Sequence, residues 1–283
     1  GQRAGTGVGL LIALNGIISA ATVSLGFAGY FTELVDLPLL PVALGIIGLL
    51  LLVNIRGVQA SSTVNIGLTV VEILGLVAVG IAAFPQVGAV DLLVLPDGNV
   101  NGLFFAAALS FFAYMGFEDI VKLAEETREP ERNIPRALFI SNGIVLVIYV
   151  ALAMLVVSAM PWQQLANEPA PLAAIVEGRW GPTGLLVVGI AALFSTSNTL
   201  LSNLLGSSRV LSFMGRELGP MRWLGRLSPR KTPVAALVFI AIVAAGFALI
   251  GDISIVARIA TVSIFLTFIL VNLSAILLRI RQP

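Results

Sequence analysis

The chain has 283 residues, of which 58% are hydrophobic and 11% charged, and its mean hydropathy is +1.03. A net charge of +1 gives nucleic acid no handle, and the absence of Cys and His excludes thiol redox chemistry, disulfides, Cys/His metal centres and imidazole catalysis. A soluble domain carries about 25% charged residues, so the composition indicates an all-α polytopic membrane protein, in which each helix satisfies its own backbone within the lipid.

A crossing needs about 20 apolar residues. Such runs predict eight spans, at 8–30, 39–55, 64–84, 103–123, 137–160, 183–206, 234–250 and 253–278. The second and seventh are short but long enough to cross. The remainder holds no soluble domain, and residues 1–283 read as one transmembrane domain. No signal-peptide pattern is present, and the chain, starting at Gly1, reads as a fragment cut at both ends.

The first span carries Asn15, Ser19 and Thr22 on one face at i, i+4 and i+7. The third places Glu72 between Val71 and Ile73 with no basic residue within a turn. A carboxyl at that depth is expensive and usually functional. It reads as a titrating group on an ion or proton path, or as a protonated carboxyl bonded to a neighbouring helix.

The fourth span reaches "YMGFED" before it has finished crossing. Two readings stay open on physical grounds. The helix is broken at Gly116, with freed carbonyls available to a cation and Glu118 and Asp119 at the positive end of a second half-helix. Alternatively the span ends at Phe117. The charged stretch "EETREPERNIPRA" follows, and a fifth helix can begin at Pro135.

The sixth span reads "LFSTSNTLLSNLLGSS". Ser195, Asn198, Thr199 and Ser202 share a face, which points to a wet cavity rather than to a single packing stripe. The eighth holds Thr261, Ser263 and Thr267. Polar faces on four spans suggest a central polar site.

Loops alternate in charge. With eight spans, fourteen of the 16 basic residues fall on one side and only Arg179 and Arg258 on the other. The positive side faces the cytoplasm. Both ends and the loops 124–136 and 209–232 are therefore expected there, in a plasma (inner) membrane.

The stretch 111–137, "FFAYMGFEDIVKLAEETREPERNIPRA", resembles the signature of the amino acid–polyamine–organocation (APC) transporter superfamily, with Glu129 where that family usually has Asn. "NTLLSNLLGSSRVLSFMGREL" with the downstream "KTP", "NIRGVQASSTVNIGLTVVEILGL" and "LVNLSAILLRIRQP" resemble further stretches of it, in order. The resemblance covers the whole chain. It implies helices three to ten of a five-plus-five inverted-repeat (LeuT-like) fold, with the first two and last two helices missing, and a break in the helix at about 103–123.

By the same resemblance, Phe112, Ala113, Tyr114, Met115 and Gly116 form an unwound segment whose carbonyls receive a substrate ammonium, with Phe112 as a gate. Asn15, Ser19, Thr22, Ser195, Thr196 and Asn198 line the substrate site, while Glu72 and Glu118 are coupling or gating candidates. Some family members carry Lys at the position of Glu72, so their mechanism does not transfer.

The implied activity is secondary active amino acid transport by alternating access, as proton-coupled symport or exchange. Amino acid and bilayer are the expected partners. No metal or cofactor is expected beyond a coupling proton or sodium ion. An enzyme is not expected: the spans hold no nucleophile–base pair, and Lys122 and Lys231 fall on the cytoplasmic side. The alternative is a transport-inactive scaffold or sensor that keeps the fold.

Overall fold

Helices that are apolar on every face have no amphipathic side to turn toward water, and they suit a lipid environment. The computed structural model describes residues 2–88, 114, 116, 120–121, 127–167, 171–217 and 221–281, and its regular elements are all helical. The long ones are α1 (Gln2–Leu34), α2 (Leu39–Ile55), α3 (Val58–Ala83), α4 (Pro130–Ala159), α7 (Pro182–Glu217), α8 (Val234–Ala248) and α9 (Ile253–Arg281). Two short helices, α5 (Trp162–Asn167) and α6 (Pro171–Trp180), connect α4 to α7.

Five helices contain segments long and apolar enough to cross a membrane: Gly5–Thr32, Thr63–Ala83, Pro130–Ala159, Pro182–Arg216 and Ile255–Leu277. α2 and α8 are shorter apolar helices. Seven of the eight expected spans are thus helical. The fourth, 103–123, lies outside the described residues except at 114, 116, 120 and 121.

Two helix ends differ from the sequence reading. α4 starts at Pro130 rather than Pro135. Pro at the first helical position loses no hydrogen bond, because that N–H has no partner in any helix. The turn before it is held by Asn133, whose Nδ2 donates to Arg128 O at 2.6 Å. Glu129 closes the turn at φ 46°, in the left-handed region that Asn tolerates better than Glu. α7 continues to Glu217, so residues 209–217, the start of the segment expected as the loop 209–232, are helix. Gly57 and Gly181 end α2 and α6 with positive φ.

The chain forms two compact units. The first joins Gly1–Thr69 with Leu193–Pro283. Within it α1 packs on α2, α8 and α9, and α2 packs on α8. Its core is rich in alanine, including Ala20, Ala21, Ala28, Ala43, Ala236 and Ala244, around Leu200, Leu204 and Ile240. Small residues let membrane helices approach closely. Gly16 shows this: a Cβ there would collide with Ser207 Oγ of α7.

The second unit is Val70–Ala192. Val79, Ala82, Ala173, Val176 and Val188 form its buried cluster. Gly75 sits directly against Ala191. Gly80 faces α4, where a Cβ would stand 3.7 Å from Leu155 Cδ1.

Candidate functional site

In the first unit, a closed polar network joins α3 to α7. Asn65 Nδ2 donates to Asn198 Oδ1 at 2.6 Å and to Ser202 Oγ at 3.0 Å. Asn198 Nδ2 donates to Thr69 Oγ1 at 2.9 Å, and Thr69 Oγ1 donates to the Asn65 carbonyl at 2.9 Å. One helical turn away, Asn54 Nδ2 donates to Leu201 O at 3.3 Å. Of the site residues expected on α7, Asn198 therefore has its oxygen and one N–H committed to α3.

The hydroxyls of α7 behave differently. Thr196 Oγ1 and Ser197 Oγ donate to Leu193 O, and Thr199 Oγ1 donates to Ser195 O. Such bonds back to the helix satisfy a hydroxyl in lipid without any partner helix. Asn198 and Ser202 of the polar run thus bond across to α3.

On α1, Thr22 Oγ1 donates to Ile18 O at 3.0 Å. Asn15 is 4% exposed, and its Oδ1 finds no hydrogen-bond partner among the described residues. The fully buried Ser207, which faces the neighbouring Gly16, is in the same condition, as is Ser263 of α9. Thr261 and Thr267 of α9 bond back to Ala257 O and Ser263 O. A buried polar atom without a partner is costly and requires a reason, of which a bound ligand or water is one. Ser19 of α1 is half-buried.

In the second unit, Tyr114 and Gly116 adopt turn conformation. Gly116 has φ 121°, which an L side chain rarely adopts. A turn at these two residues is expected both of a broken helix and of a span that ends at Phe117. Phe112, Ala113, Met115 and Glu118 lie outside the described residues. The Tyr114 ring meets Tyr149 of α4 edge-on, with centroids 5.3 Å apart and planes at 69°.

The sequence reading missed Asn65, Thr69 and Tyr149. Asn65, Thr69 and Glu72 stand at i, i+4 and i+7 on α3, a polar face the sequence displays. Nothing in the sequence singles out Tyr149. Among the described residues, no group of three or more Asp or Glu gathers as a metal cage would require.

The model of a family described as amino acid permeases matches residues 3–283. The chain belongs to that family. Its members are transporters, not enzymes, and this permease chain is an integral multi-pass membrane protein. An uncharacterized transporter of Mycobacterium tuberculosis is 33% identical over 85% of this chain and 56% of its own length. The branched-chain amino acid permease BcaP of Bacillus subtilis is 26% identical over 98% of this chain and 64% of its own length. Cationic amino acid transporter 7 of Arabidopsis thaliana is 28% identical over 84% of this chain and 43% of its own length. The chain spans roughly half the length of the curated relatives it matches.

Proposed function

We propose that the complete protein moves amino acids across the membrane as a secondary active permease, by proton-coupled symport or by exchange. The observation that carries this reading is the family match over residues 3–283. Alternating access proceeds around a midplane site in a five-plus-five arrangement of helices. The substrate ammonium is received by backbone carbonyls of residues 112–116, where the positive φ of Gly116 supports an opened backbone. Phe112 and Met115 meet the substrate side chain. Asn15, Ser19 and Thr22 line one wall, and Ser195, Thr196 and Asn198 line another. The unpartnered Asn15 Oδ1 supports that assignment. Glu72 and Glu118 serve coupling or gating, in a plasma-membrane protein with both ends of this chain in the cytoplasm.

The test is uptake of a panel of labelled amino acids by the full-length protein in proteoliposomes. Saturable uptake driven by an imposed proton gradient is expected for symport. Stimulation by amino acid loaded inside is expected for exchange. No saturable uptake across the panel overturns the permease reading in favour of a scaffold or sensor.

A further inference from the structure

The segment between α7 and α8 repeats one pattern at four-residue spacing: Arg222-Trp223, Arg226-Leu227 and Arg230-Lys231. All six side chains are exposed. Among the described residues, none of the four cations is ion-paired with a carboxylate. In residues 221–283 the sole acidic residue is Asp252, which follows the far end of α8.

The backbone that carries these charges is pinned. Leu224 N donates to Met221 O at 2.9 Å, Lys231 N to Ser228 O at 2.8 Å and Ser228 N to Thr232 O at 2.9 Å. Leu224 and Thr232 are buried beneath the segment. Gly225 packs so closely on the end of α7 that a Cβ there would stand 2.9 Å from Arg216 N. Gly57 lies against the other end of the segment, where a Cβ would stand 3.8 Å from Arg230 Cβ, and this brings the exposed Arg56 beside it.

The charges stand where an apolar helix face begins. The Trp223 ring meets Phe239 of α8 edge-on, with centroids 5.8 Å apart and planes at 83°. Phe239, Ile242, Gly246 and Leu249 follow at i, i+3, i+7 and i+10, and all four are exposed. Basic residues that only set topology need no fixed backbone and no ring beside them. A guanidinium suits a phosphate, a Trp suits the boundary between headgroups and chains, and an apolar stripe suits hydrocarbon. A soluble anion or an acidic peptide uses the first of these and not the last.

We propose that Arg222, Arg226 and Arg230, with Trp223, form a binding site for an anionic phospholipid. Its phosphate and headgroup rest on the guanidinium groups, and its acyl chains lie along Phe239 and Ile242. This goes beyond the permease reading and requires neither transport nor a particular orientation of the chain.

The experiment places the full-length protein in vesicles of phosphatidylglycerol and phosphatidylcholine in which one lipid or the other has brominated chains, which quench Trp fluorescence on contact. Brominated phosphatidylglycerol is expected to quench more than brominated phosphatidylcholine at equal mole fraction. Trp223→Phe, which keeps a ring against Phe239, is expected to abolish that excess. Arg222→Gln and Arg226→Gln are each expected to lower the preference about fivefold, the scale of one basic residue at an anionic surface. Arg222→Lys keeps the charge and is expected to keep the preference. Arg179→Gln, an equal loss of charge ahead of α7 in the chain, is expected to leave it unchanged. Equal quenching by the two lipids overturns the proposal, as it would if a second copy or a further helix covered this face. An excess that survives in Trp223→Phe places the lipid elsewhere and also overturns it. So does displacement of the lipid by glycerophosphoglycerol, the headgroup without chains, which would make this a site for a soluble anion.

Discussion

Asn15 separates packing from transport more sharply than any other side chain on α1. It is 4% exposed, and its Oδ1 has no partner among the described residues. If the residue only packs, the near-isosteric Asn15→Leu removes an unsatisfied polar atom and is neutral or stabilising. If it faces substrate, the same change removes a ligand. We expect both effects together: thermal stability in detergent at or above wild type, and uptake reduced about tenfold, the scale of about 1.4 kcal/mol of lost interaction. Lost stability with proportionate loss of uptake would return Asn15 to packing. Glu129 shows another residue-scale limit. The departure from the family's Asn is visible in the sequence, but its left-handed φ of 46° is not. There the penalty is a backbone one, of about 1 kcal/mol.

At the scale of elements, hydropathy located seven helices well and their ends less well. It senses where lipid stops, not where hydrogen bonding stops. α7 has 36 residues, about 54 Å at 1.5 Å per residue, against a hydrocarbon core of about 30 Å. That length exceeds the core, and residues 209–217, expected as the start of a loop, are helix. The polar run on α7 was legible as unusual, but not in its division of labour. Ser and Thr can bond back to their own helix, whereas the Asn198 carboxamide reaches across to α3. That partnership was hidden because Asn65 and Thr69 draw little notice on a helix that also carries a carboxylate. Asn65→Ala and Asn198→Ala should each destabilise the protein and couple by about 0.6–1.7 kcal/mol in a double-mutant cycle, the range for interhelical hydrogen bonds in membranes. Unfolding in mixed detergent–denaturant micelles measures it, and additive effects would mean that the 2.6 Å contact contributes nothing.

For the whole molecule, the class was legible from composition, since 11% charge cannot clothe a soluble surface. The family was legible from a long signature, but the ring contact of Tyr114 with Tyr149 was not, because it joins residues 35 positions apart in the chain. Orientation rests on the skew of fourteen basic residues in 16, and it can be tested on α7 alone. Gln164 of α5 and Arg226 beyond α7 are both exposed, and α7 is the one long apolar helix between them. These residues contain no cysteine, so single cysteines here are read without background once any elsewhere in the protein are replaced. Gln164→Cys should react with a membrane-impermeant maleimide on intact cells, and Arg226→Cys only after permeabilisation. The reverse pattern would invert the orientation. Labelling of both from one side would mean that α7 fails to cross, and the placement of Ser195, Thr196 and Asn198 at a midplane site would fall with it.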